Sequence, residues 1–123
     1  MLKKILIIED EEILADLLQK KLAISGYQVF LERDGEKGLV AMRELRPDLV
    51  LLDILMPKMN GLEVLAEIQK DDDLRKIPVI VISNSGQPVE IDEIKKLGAK
   101  DWLIKTDFNL QEIIQKVKKQ IGD

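Results

Sequence analysis

Residues 48–53 read DLVLLD: four aliphatic side chains in a row with a carboxylate at each end. A strand with one wet face alternates apolar and polar residues, because successive side chains point to opposite sides of the sheet. An unbroken aliphatic run instead suits a strand covered on both faces, as in a parallel sheet between two layers of helices. Working outward, the same pattern recurs in ILII (5–8), VIVIS (79–83) and WLI (102–104), and less regularly in YQVFL (27–31).

Between these runs the apolar spacing changes to that of a helix. Leu14, Leu17, Leu18 and Leu22 recur at i, i+3, i+4 and i+8, and Leu110, Ile113, Ile114, Val117 and Ile121 at i, i+3, i+4, i+7 and i+11. Gly26 and Gly98 stand where left-handed helix ends are expected. Pro88, followed by Glu90, Asp92 and Glu93 and then by Lys95 and Lys96, reads as a weakly apolar helix whose charges complement its dipole. DDD at 71–73 reads as a solvated loop after the third helix. Strand and helix thus alternate five times, which predicts an α/β, doubly wound (βα)5 fold of flavodoxin-like type. Its parallel five-stranded sheet is expected in the order 2-1-3-4-5, within one domain over residues 1–123.

Composition narrows the chemistry. Hydrophobic residues make up 46% of the chain but aromatics only 3%, so the core must be aliphatic. With 19 basic and 23 acidic residues and a net charge of -4, neither nucleic acid nor an anionic membrane is the expected partner. The chain has no cysteine and no histidine, which excludes disulfides, thiolate and imidazole metal sites, and Ser-His or Cys-His catalysis. MLKKILIIEDEE at the amino end is too soon interrupted by acids to be a signal peptide or a membrane span. A cytoplasmic protein is expected.

In a doubly wound sheet the functional crevice lies at the carboxyl ends of the strands. Those ends carry Glu9 and Asp10 (first strand), Asp53 (third), Ser83 (fourth) and Lys105 (fifth). In the order 2-1-3-4-5 the first and third strands are neighbours, so three carboxylates converge, and like charges so placed call for a cation. An all-oxygen donor set selects a hard ion such as Mg²⁺, which commonly bridges to phosphate. Lys105 adds a point charge and Ser83 a hydroxyl donor, the parts needed to hold a phosphoryl group, and Asp53 between them is the natural acceptor.

These residues resemble the receiver domain of two-component response regulators over essentially the whole chain. ILIIEDE resembles the family's first strand with its acidic pair, LLDILMPKMNG the phosphoacceptor strand and its loop, VIVIS the strand ending in Ser or Thr, and WLIK the strand ending in lysine. The resemblance implies that Asp53 accepts a phosphoryl group from the phosphohistidine of a sensor histidine kinase or phosphotransfer protein, catalysing its own modification without being an enzyme in the usual sense. It implies that Asp10, Asp53 and the backbone carbonyl of Leu55 ligate Mg²⁺, with Glu9 acting through water, and that Ser83 and Lys105 hold phosphoryl oxygens. Ser83 and Trp102 would be the switch residues, changing the face made by the fourth helix, fifth strand and fifth helix for an unknown protein target. Leu55 and Asn84 would tune the phosphoryl lifetime. Two positions depart from the family: Thr106 stands where a proline with a cis peptide bond is usual, so a trans bond is expected, and Trp102 is bulkier than the usual Tyr or Phe.

Plainer readings stand beside these. Asp10 would serve as a helix N-cap, Asp53 as a turn former, Ser83 with Asn84 and Ser85 as loop chemistry, Lys105 as a solvated lysine, Trp102 as packing and Gly61 as backbone geometry. A nucleotide binder of the same sheet order would need a phosphate-binding first loop, where this chain has EDEE, and a haloacid-dehalogenase-type phosphatase a second acid at position 55, which is leucine. The remaining alternative is a receiver-like docking module independent of phosphorylation.

Overall fold

Each apolar run forms a strand in the computed structural model, which describes residues 2–56, 58–83, 87–106 and 109–122. The strands β1 (Lys4–Ile8), β2 (Gln28–Glu32), β3 (Leu49–Asp53), β4 (Val79–Ser83) and β5 (Asp101–Ile104) alternate with helices α1 (Glu12–Ile24), α2 (Gly35–Leu45), α3 (Gly61–Gln69), α4 (Pro88–Lys96) and α5 (Leu110–Ile121). All pairings are parallel and the order is β2-β1-β3-β4-β5, the arrangement expected from the sequence.

The central strand is buried at every residue, and its side chains feed two separate cores. Val50 and Leu52 join Leu6, Ile8, Val79 and Val81 on one face, covered by α2, α3 and α4 through residues such as Met42, Leu65 and Ile94. Leu49 and Leu51 join Ile5, Ile7, Ile80 and Ile82 on the other, covered by α1 and α5 through Leu18, Leu22, Ile113, Ile114 and Val117. Each such side chain contributes roughly 1.5–3 kcal/mol by leaving water. This explains the missing alternation: both faces of the middle strands are interior.

Local chemistry sets the helix ends. Asp34 accepts from the backbone of Lys37 at 2.8 Å to start α2, and Asn109 from Glu112 at 2.8 Å to start α5. Asn60 and Glu63 form a reciprocal capping box at α3, with bonds of 2.9 and 3.1 Å. Gly26 and Gly98 follow α1 and α4 with φ of 101° and 94°, left-handed values that favour glycine. Pro88 is the first residue of α4. No helix among the described residues is long and apolar enough to cross a membrane.

Some expectations need correction. Tyr27 lies outside β2; it is buried and its hydroxyl donates to the Gly122 carbonyl at 2.8 Å, so it packs as an anchor rather than as strand. Leu17, placed by spacing on the buried stripe of α1, is 47% exposed, because only Leu18 and Leu22 of that stripe reach the core fully. The acids at 71–73 are not merely solvated: the Asp71 carboxylate accepts from the backbones of Asp73 (2.9 Å) and Leu74 (3.0 Å), starting a 3₁₀ turn, Leu74–Lys76, that buries Leu74. These bonds hold the Asp71 carboxyl below its ordinary pKa.

Candidate functional site

Parallel register decides which strand ends meet. Ile8 lies opposite Leu52, and Asp53 opposite Ile82. Glu9, Asp53 and Ser83 therefore leave the sheet side by side. Lys105 joins them from the end of β5, its backbone N–H donating to the Ser83 carbonyl at 2.7 Å.

Glu9, Asp10 and Asp53 each present a carboxylate oxygen within 4.8 Å of the others. Glu9 and Asp53 are fully buried, whereas Asp10 is exposed. The plain reading of Asp10 as a helix cap has no support, since the N-cap position of α1 is Glu11 and no side chain makes a capping bond there. Lys105 is not a solvated lysine either: its side chain is 15% exposed, and its Nζ lies 3.3 Å from Asp53 Oδ2, 3.4 Å from Glu9 Oε2 and 3.1 Å from Glu11 Oε2. Glu9 Oε2 also accepts from the Glu11 backbone at 3.0 Å, and Asp53 Oδ1 from the Leu55 backbone at 3.3 Å. Glu9 Oε1 is buried with no hydrogen-bond partner among the described residues.

One ammonium among these acids leaves negative charge in excess. Burial, and then the neighbouring Asp53 carboxyl, push Glu9 up to about 8, against the opposing pull of the Glu11 N–H and Lys105. Burial also raises Asp53, opposed by the neighbouring Glu9 carboxyl, by Lys105 and by the bond from the Leu55 N–H. For Lys105, burial pulls its pKa down, but the charges of Asp53 and Glu9 outweigh this and its net shift is upward, so it stays an ammonium. A hard divalent cation fits this donor set: the ligands are all oxygen, and among the described residues the charge is uncompensated and Glu9 Oε1 lacks a partner.

Ser83, fully buried, donates its hydroxyl to Glu90 Oε1 in the first turn of α4. Trp102, opposite Val81, packs on the α2–α4 side of the sheet with Lys95 Nζ 4.7 Å above its ring. It lies along β5 from the acidic cluster rather than within it. The Lys105–Thr106 peptide is trans, as expected. Gly61 is required by a close approach: a Cβ there would meet the Asp53 carbonyl oxygen and lie 2.7 Å from Ile54 Cα. Asn84, Ser85 and Pro57 lie outside the described residues.

Two residues escaped the sequence reading. Glu11, a partner of Lys105, was visible only as one more acid in EDEE, and Glu90, the acceptor for Ser83, only as a charge suited to a helix start.

Comparison with known proteins agrees with this geometry. The sequence pattern of the response regulator receiver domain matches residues 5–118. The polar-differentiation response regulator DivK of Brucella anthropi is 34% identical over 123 residues, covering 100% of this chain and 99% of that one. Among solved structures, the phosphorylated cyanobacterial phytochrome response regulator RcpA is 36% identical with a TM-score of 0.81, over 97% of this chain and 91% of that one. The Mn²⁺-bound response regulator Rcp1 is 30% identical with a TM-score of 0.82, over 95% and 92%. Fold, register and full-length similarity agree, and the chain belongs to the response regulator receiver domain family.

Proposed function

We propose that Asp53 is the phosphoacceptor of this receiver domain. An Asp53 carboxylate oxygen attacks the phosphorus of a donor phosphohistidine; the new O–P bond forms as the P–N bond breaks, and the electron pair leaves on the imidazole nitrogen. The observation that carries this is Lys105 Nζ at 3.3 Å from Asp53 Oδ2, at the mouth of the acidic cluster, where it would pair with a phosphoryl oxygen. Asp10 and Asp53, with the Leu55 carbonyl, would hold Mg²⁺, and Glu9 would reach it through water. That ion would supply positive charge to the transferring oxygens, and little more than charge and positioning is needed for this chemistry. The phosphorylated state of RcpA and the Mn²⁺ of Rcp1 support both parts. Ser83 and Trp102 would carry the change to the α4–β5–α5 face and so to a downstream protein target, and a sensor histidine kinase or phosphotransfer protein would be the donor. A cytoplasmic setting belongs to the same reading. Family membership does not favour the docking module that ignores phosphorylation.

With Mg²⁺ and acetyl phosphate, intact-mass measurement should show one acid-stable, base-labile phosphoryl group, absent in Asp53→Asn. Equal labelling of the variant would refute the assignment.

A further inference from the structure

A serine hydroxyl has one proton to give. In this chain the proton of Ser83 goes to Glu90 Oε1, seven residues later and on a different element, so the bond ties the end of β4 to the first turn of α4. Glu90 itself is half-buried, and α4 is held from its other end by Lys95 over the Trp102 ring at 4.7 Å. A phosphoryl group on Asp53, one strand away from Ser83, asks for the same proton. The two acceptors exclude one another. Both are also negative, so Glu90 and the phosphoryl group repel where they compete.

We propose that Glu90 is a latch on the switch: it holds the Ser83 hydroxyl and the first turn of α4 together in the unphosphorylated chain, and phosphorylation releases α4 by taking that proton. Glu90 is then a positioning residue acting through Ser83, and the latch sets how readily the phosphorylated form is populated. The inference rests on Asp53 as the phosphoacceptor. It adds the cost that the chain's own α4 imposes on that state, through a residue whose place at a helix start otherwise suggests only dipole chemistry.

Trifluoroberyllate, a reversible phosphoryl mimic, makes the competition measurable at equilibrium in Mg²⁺ buffer. Trp102, the only tryptophan in the chain, reports on it by emission, since Lys95 on α4 lies over its ring. Losing a hydrogen bond to a charged acceptor in the unliganded state should lower the mimic's midpoint in Glu90→Ala by about tenfold. Glu90→Gln, which keeps an acceptor but not the charge, should fall between that variant and the wild type. In a Ser83→Ala background, adding Glu90→Ala should move the midpoint less than about twofold, because there is no hydroxyl left to release. Coincident midpoints for the wild type and Glu90→Ala would overturn the latch alone. So would an equally large shift in the Ser83→Ala background, which would reduce Glu90 to a repelling charge. A wild type that never responds, or an Asp53→Asn chain that responds as the wild type does, would overturn the phosphoacceptor reading and the latch with it.

Discussion

Replacing Glu9 by glutamine should flatten the pH dependence of stability that the metal-free protein otherwise shows. Glu9 is fully buried and one of its carboxylate oxygens has no partner among the described residues, so its ionised form is costly in the folded chain; its pKa rises from 4.5 to about 8. Below pH 4.5 both folded and unfolded chains hold this proton, and the contribution of Glu9 is fully present. Between 4.5 and about 8 only the folded chain holds it, so stability falls steadily as pH rises. Above about 8 both have lost it and the slope ends. Three and a half decades at about 1.4 kcal/mol each give a loss of roughly 4–5 kcal/mol across that window. Lys105, at 3.4 Å, opposes this, but it is shared with Asp53 and Glu11 and burial outweighs it. Glutamine keeps the shape and cannot ionise. In urea unfolding with chelator present, Glu9→Gln should match the wild type near pH 4.5 and exceed it by about 4 kcal/mol at pH 8.5. Parallel stability curves, or a less stable variant at pH 8.5, would show that Lys105 satisfies Glu9 and that the reasoning is wrong.

Asp10 is exposed and caps nothing, so Asp10→Ala should change metal-free stability by no more than about 0.5 kcal/mol. The wild type should gain about 2.7 kcal/mol from Mg²⁺ at a hundredfold excess over its dissociation constant; urea unfolding of the variant should show little of that gain, and a full gain would remove Asp10 from the metal site. Gly61→Ala sets a methyl group against the backbone of Asp53 and Ile54, which should cost about 2 kcal/mol and slow phosphorylation of Asp53. An unchanged urea midpoint would show that this contact yields freely.

Much of the architecture was legible because the chemistry is one-sided. VIVIS and DLVLLD have no polar residue inside the run, and only a strand covered on both faces accommodates that. Tyr27 misled because an aromatic beside a strand looks like strand, while its hydroxyl has a partner at the far end of the chain. The site residues could be placed from the strand ends, but their burial could not. Glu9 and Asp10 are neighbours in sequence, and whether a side chain turns under the rim or out of it depends on parity at the last paired residue. The Ser83–Glu90 bond joins the end of β4 to the first turn of α4, a pairing that spacing does not encode.

The two aliphatic cores carry a consequence for strand pairing. In a half-wet sheet a strand that slips by one residue exchanges its inner and outer faces and is penalised at once. In β1, β3 and β4 both faces are apolar, so a slip would trade one greasy surface for another at little hydrophobic cost. What stops the slip is the polar residue at each carboxyl end: sliding β3 inward by one would carry the Asp53 carboxylate between layers of leucine and isoleucine, away from Lys105. Glu9 and Ser83 act as the same kind of end-stop on their own strands. The residues proposed to hold the metal and the phosphoryl group are thereby also the alignment marks of the sheet, and exchanging them for apolar side chains would loosen the choice of register.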